Sequence, residues 1–189
     1  MNKTIRTFIA LPLNIQTQTI ISEIINNLKK LDCNVKWIKP ENVHLTLKFL
    51  GDISADKIKP IALSIENILE KTHSINVEID SVGAFPNTRN PRIVWTGLKD
   101  IDERIKNLAL SLEDELEKIG LERGARAFNP HITIGRVKYF KNIKILERGL
   151  ETYKSFKKHT EIVNNIILYK STLTNKGPIY EEIEKFPLV

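Results

Sequence analysis

Two segments, VHLTLKFLG at 43–51 and NPHITIGRV at 129–137, constrain the fold more than any other feature of the chain. Each alternates polar and apolar residues with the period of a strand, whose side chains point to opposite faces in turn. In the first, His44, Thr46 and Lys48 share one face, while Leu45, Leu47 and Phe49 point the other way, toward a core. In the second, His131 and Thr133 take the polar face, and Ile132 and Ile134 the apolar one. One such strand says little, because half-buried sheets alternate in this way routinely. Its repetition 87 residues downstream (131 minus 44) says more. With 13 threonines in 189 residues, His-x-Thr at two of four histidines arises by chance about 3% of the time. The other two histidines, His73 and His159, lack the pattern. The chain therefore reads as a single domain, 1–189, built as two related lobes near 1–98 and 99–189, each donating one His-x-Thr strand.

The remaining patterning fits that frame. Helical spacing of apolar residues occurs in QTIISEIINNLKKL, where Ile21, Ile24, Ile25, Leu28 and Leu31 share a face. It recurs over about Ser54 to Lys71, where Pro60 is tolerated only in a first turn and pushes the start later. The third helix carries the stripe Ile105, Leu108, Ala109, Leu112, Leu116 and Ile119. Asp100 with Glu103 reads as its capping box and Gly120 as its stop. A shorter, basic helix runs from about Asn142 to Leu150. Strands are expected at Thr4–Leu11, His44–Leu50, Ile75–Ser81, Arg92–Leu98, His131–Val137 and Glu161–Ser171, with a last one near Tyr180–Lys185. GAFPNTRNPR reads as a hairpin loop rather than a domain joint. Helices and strands mix without strict βαβ alternation, which indicates an α+β fold with a largely antiparallel sheet.

A histidine beside a threonine, twice, suggests chemistry at phosphorus. Two imidazoles provide one proton acceptor and one donor near neutral pH. Each threonine hydroxyl can bind a non-bridging phosphate oxygen. In-line displacement needs a base on the attacking oxygen and an acid on the departing one, and two histidines suffice without metal. A zinc site wants three or four ligands, usually with a closely spaced pair, and neither histidine has a ligand-type neighbour within a turn. The net charge of +6 and pI near 9.3 suit a phosphate-bearing partner. One cysteine, Cys33, permits no internal disulfide and favours a reducing cytoplasm. No apolar run reaches the ~20 residues that span a bilayer, and MNKTIRTFIALPLN reads as a first strand rather than a signal peptide. Trp37, Phe8 and Tyr180 are candidates to stack a base. Lys48, on the face of His44, is a candidate to extend a phosphate track, Arg89 and Arg92 are candidates for RNA-backbone contacts, and YFKNIKILERGLETYKSFKKH concentrates positive charge.

Beyond the two motifs, RTFIA, WIKPENVHLTLKFLG, GAFPNTRNPRIVWTGL, FNPHITIGR and LYKSTLTNKGPIYEEI follow one another in a familiar order. On these segments the chain resembles the two-histidine (2H) phosphoesterases, specifically the RNA 2′,3′-cyclic phosphodiesterases also called 2′-5′ RNA ligases. The resemblance implies a bilobal α+β fold, with pseudo-twofold duplicated antiparallel sheets, flanking helices and a central cleft. It implies hydrolysis of a terminal 2′,3′-cyclic phosphate to a 2′-phosphomonoester, with no cofactor and no metal, and 2′-5′ ligation by reversal. By the same analogy His44 donates a proton to the departing 3′ oxygen and His131 activates water. Thr46 and Thr133 hold phosphate oxygens, and Arg136 stabilises charge. In an ideal strand Arg136 has the wrong parity for this, so Gly135 would have to mark a bulge or the strand's end. The expected partners are RNA ends, tRNA fragments among them, met by a monomer. Two alternatives stand beside this reading: a phosphodiesterase for a small cyclic nucleotide or 2′-5′ oligonucleotide, and a non-catalytic RNA- or nucleotide-binding module. Retention of all four His and Thr residues favours an enzyme.

Overall fold

The computed structural model describes residues 4–70, 72–100, 103–139, 142–153, 158–175 and 177–189. In chain order these form β1 (Thr4–Pro12), α1 (Ile15–Lys29), β2 (Val35–Trp37), β3 (His44–Ser54), α2 (Ile58–Leu69), β4 (Ile75–Phe85) and β5 (Ile93–Asp100). There follow α3 (Arg104–Lys118), β6 (His131–Val137), α4 (Ile143–Glu151), β7 (His159–Val163), β8 (Asn165–Thr174) and β9 (Gly177–Pro187). The helices bury their apolar stripes against the sheet: Ile21, Ile24, Ile25 and Leu28 from α1, Ile61 and Ile65 from α2, Ile105, Leu108 and Leu112 from α3, Leu146 and Leu150 from α4. Among the described residues no helix is long and apolar enough to cross a membrane.

All nine strands join one antiparallel sheet in the order β7-β4-β5-β6-β3-β1-β8-β9, with β2 on the free part of β6. The order shows how the duplication is built. β1 pairs with β3, and β5 with β6, each pair carrying one His-x-Thr strand. Strands then cross between the halves: β4, which follows β3, pairs with β5, and β8 pairs with β1, while β7 stays beside β4. The two halves of the sheet therefore draw strands from both sides of residue 98.

Three elements differ from the sequence reading. The stretch 161–171 is two strands, because β7 pairs with β4 and β8 with β1 at distant parts of the sheet. β2, only three residues long, has too little pattern to be seen. The third helix lacks the expected capping box: Asp100 ends β5 opposite Val77, and Glu103 takes the N-cap position in a left-handed conformation without a side-chain cap. Its stop is as expected, with Gly120 at φ +79°, where a side chain would be strained. The second helix begins later than Ser54, after a short 3₁₀ turn at Ala55–Lys57, which places Pro60 in the first turn of α2. Its expected last residue, Lys71, lies outside the described residues.

Candidate active site

β3 and β6 touch through one backbone pair, Leu45 with Ile132. Antiparallel register then sets His44 against Thr133 and Thr46 against His131, since each sum of residue numbers equals that of the central pair. Leu45 and Ile132 are buried on the helical side, so the four flanking side chains stand on the opposite, open face. A local twofold through the central pair exchanges His44 with His131 and Thr46 with Thr133. The duplicated sequence motif becomes one four-residue cluster at the seam of the sheet.

Both imidazoles are fixed by the same device. Nδ1 of His44 lies 2.8 Å from the backbone oxygen of Asn42, and Nδ1 of His131 lies 2.7 Å from that of Asn129. A carbonyl oxygen only accepts, so each Nδ1–H donates and each neutral ring keeps its lone pair on Nε2. Nε2 of His44 meets the Thr46 hydroxyl at 3.1 Å. Sequence reasoning passes over this pair of anchors, although an asparagine precedes each histidine by two residues in both motifs.

The surroundings of the two rings differ. His44 stacks on Phe8 at 4.8 Å and meets the edge of Tyr180 at 5.3 Å, whereas His131 meets Phe85 edge-on at 5.0 Å. Burial lowers the His44 pKa to about 4, against a small opposing effect of the Asn42 carbonyl. Burial also raises the phenol of Tyr169 to about 12, helped by Glu182, and raises that of Tyr180, so both hydroxyls stay protonated. A histidine whose folded pKa lies below its unfolded ~6.5 binds fewer protons when folded. Its contribution is complete above pH ~6.5 and is lost as pH falls toward about 4. Urea titrations across this range are expected to show a loss of about 3 kcal/mol that is missing from His44→Gln. An equal loss in that variant would place its origin elsewhere.

Two bulges set what surrounds the cluster. In β6, Val94 pairs with Gly135 and Trp95 with Thr133, leaving Ile134 as the extra residue. The parity flips there, and exposed Arg136, opposite Ile93, returns to the face of His131 and Thr133. The bulge needed to re-aim Arg136 is present, one residue before Gly135. In β3, Ala10 pairs with Thr46 and Ile9 with Lys48, leaving Leu47 as the extra residue. This overturns two expectations. Lys48 turns to the helical side, where it is buried with Nζ 2.5 Å from Glu113, and it cannot extend a phosphate track. Phe49, expected in the core, pairs with Phe8 and emerges on the histidine face with 68% exposure.

The other candidates separate clearly. Phe8 is 2% exposed and serves as the floor beneath His44, not as a free stacking surface. Trp37 packs at the core edge opposite Gly135, where a Cβ would meet its ring at 2.9 Å. Tyr180 is half-buried and lines a recess of about 350 Å³ beside His44, together with Tyr169, Lys39, Pro178 and Ile179. Arg89 is exposed and reaches Glu147 at 3.9 Å, and Arg92 is exposed next to β5. In the basic stretch 139–159, α4 packs its Leu146 and Leu150 into the core, while residues 140, 141 and 154–157 lie outside the described residues. Among the described residues no three His, Cys, Asp or Glu side chains converge as metal ligands.

Comparison with known proteins gives a consistent result. The LigT-like phosphoesterase family model matches residues 11–95 and again 97–180, and each match contains one His-x-Thr pair. An RNA 2′,3′-cyclic phosphodiesterase of Methanothermobacter thermautotrophicus is 35% identical, over 97% of this chain and 99% of its own. One from Thermotoga maritima is 36% identical over 93% of this chain and 91% of its own. Among solved structures, TT0787 of Thermus thermophilus superposes with a TM-score of 0.81 at 23% identity, covering 97% of both chains. Escherichia coli LigT complexed with 3′-AMP gives 0.78 at 24% identity, covering 98% of this chain and 99% of that one. These structures share the α+β antiparallel fold.

Proposed function

We propose that this chain, which belongs to the LigT-like phosphoesterase family, hydrolyses RNA 2′,3′-cyclic phosphate ends to 2′-phosphomonoesters by acid–base catalysis between His44 and His131. The observation that carries the reading is the single backbone pair Leu45–Ile132, which sets two His–Thr couples face to face, each ring anchored through Nδ1 to a backbone carbonyl and His44 Nε2 meeting only its own threonine's hydroxyl. His131 Nε2 takes a proton from water, the water oxygen bonds to phosphorus, and the bond from phosphorus to O3′ breaks. His44 returns a proton to O3′, leaving the phosphate on O2′. Burial holds His44 neutral before substrate arrives, so the anionic phosphate must first draw a proton onto its Nε2. The hydroxyls of Thr46 and Thr133 donate to the non-bridging oxygens, and Arg136 offsets the charge that builds on them.

The recess beside His44 supports placing the terminal nucleoside on the side of the departing oxygen. It has the size of a small-ligand site and offers two phenols and an apolar wall from Pro178 and Ile179. Acid, base and anion-binding groups all come from side chains, which supports a reaction independent of metal. RNA ends, tRNA fragments among them, are the proposed substrates of a monomer acting in the cytoplasm.

The test is incubation of the purified protein, in excess EDTA, with a short RNA ending in a 2′,3′-cyclic phosphate. The expected product is the 2′-phosphate alone. A 3′-phosphate would assign the proton donor to the other oxygen, and unchanged RNA would leave a binding role.

A further inference from the structure

β5 occupies one edge of β6, and β3 and β2 share the other: β3 meets β6 only at Leu45–Ile132, and β2 takes over at residues 135–137. Within β2, Lys36 pairs directly with Arg136, so the two side chains share a face. That face is the open one. Val35 and Trp37 on either side of Lys36 pack at the core edge, and a Cβ on Gly135 would meet both of them, whereas Lys36 and Arg136 are exposed. The bulge that returns Arg136 to the histidine face therefore sets it beside a second cation, supplied by another strand.

Like charges directly opposite one another on a sheet are destabilising. This pair has no relief within the chain: among the described residues neither Lys36 nor Arg136 has a carboxylate partner, while nearby Lys39 is paired with Glu41 at 3.5 Å. Register fixes where the pair stands. Arg136 follows Thr133 by three residues, one of them taken up by the bulge, so the pair lies two strand steps, roughly 7 Å, beyond Thr133. It lies at the end of the cluster where Thr133 faces His44, and Lys36 is on the same edge of β6 as His44. Arg136 is also near enough to Tyr180, in the recess beside His44, for its charge to favour the ionised phenol. One cyclic phosphate is already served by two hydroxyls and an arginine. A second cation one step farther out calls for a second anion, and along an RNA strand the next anion is the phosphodiester on O5′ of the terminal nucleotide. We infer that Lys36, beside Arg136, forms a subsite for that phosphodiester, so that the protein holds an RNA strand by its last two phosphates rather than a cyclic nucleotide alone. This rests on the proposed placing of the terminal nucleoside beside His44. Lys36 positions the strand and takes no part in proton transfer.

The experiment uses two short RNAs that end in a 2′,3′-cyclic phosphate and differ only in their last internucleotide linkage, an ordinary phosphodiester or an uncharged methylphosphonate. The penultimate ribose is 2′-O-methylated in both to keep that linkage intact. They are compared on the wild-type protein, Lys36→Gln and Lys36→Arg. The wild type is expected to favour the charged linkage by about tenfold in kcat/KM, mainly through KM, as for one hydrogen bond to a charged group. Lys36→Gln loses most of that preference and Lys36→Arg keeps it. Salt dependence supplies a second readout: one neutralised phosphate on a single strand contributes a slope of about 0.7 in log affinity against log salt, and Lys36→Gln should lose it for the charged linkage alone. No preference in the wild type, or one that Lys36→Gln leaves unaltered, overturns the inference and leaves Lys36 as a charge that keeps a short edge strand from pairing. An equal fall on both RNAs in Lys36→Gln overturns it as well. Wild-type protein inert toward both RNAs overturns the reading beneath it.

Discussion

His44→Ala and His131→Ala are each expected to lose between about a hundredfold and ten-thousandfold in kcat on a cyclic-phosphate end, with affinity for the 2′-phosphate product little changed. The size follows from what each ring does. A positioned acid or base acts on the transition state, whereas the ground-state phosphate is also held by two hydroxyls and an arginine. The double variant should be scarcely worse than either single one, because a proton relay missing one member has already failed. His44→Ala leaves a hole against Phe8, so His44→Gln is the sharper comparison at that position. Single-turnover kinetics with product-binding titrations check the split. If either variant kept wild-type turnover while remaining folded, the two-histidine assignment would fail.

How much of this is legible in the chain turns on residue parity. The alternation in HLTL and HITI marks the strands, the open face and the four residues of the cluster, because period-2 patterning is strict between bulges. It misleads from Leu47 onward, where one extra residue inverts the faces. Nothing local announces that insertion: Lys48 and Phe49 continue a plausible polar–apolar alternation, and only pairing with Ile9 and Phe8 reveals it. The second bulge has a local sign, since Gly135 interrupts the pattern, and its absent side chain admits Val35 and Trp37 of β2. Long-range exchange is invisible for a different reason. β4 pairs with β5 and β8 with β1, and the alternation within a strand marks its faces but not its partner. The capping box fails because β5 extends to Asp100, taking that residue's backbone into the sheet.

Lys48 is expected to matter most for stability, and its effect separates folding from chemistry. Its Nζ donates to Glu113 at 2.5 Å and to the backbone oxygen of Glu122 at 2.9 Å, and Glu113 also accepts from the amide of Gly124 at 3.0 Å. This one ammonium therefore ties β3 to α3 and to the segment that leads into Asn129 and His131. Lys48→Met strands a carboxylate with a single backbone partner. Breaking a fully buried pair costs about 3–5 kcal/mol, and Glu113 keeps enough contact with water to put the expected loss nearer about 3. Replacing both partners, Lys48→Met with Glu113→Leu, removes the unpaired charge and should recover more than half of that loss. Urea denaturation of the two single variants and the double variant checks the cycle. Single variants within about 0.5 kcal/mol of wild type would mean that solvent already screens the pair. With phosphate bound on the histidine face, kcat on the cyclic end should change far less in the folded Lys48→Met protein than in either histidine variant, because Lys48 points away from that face.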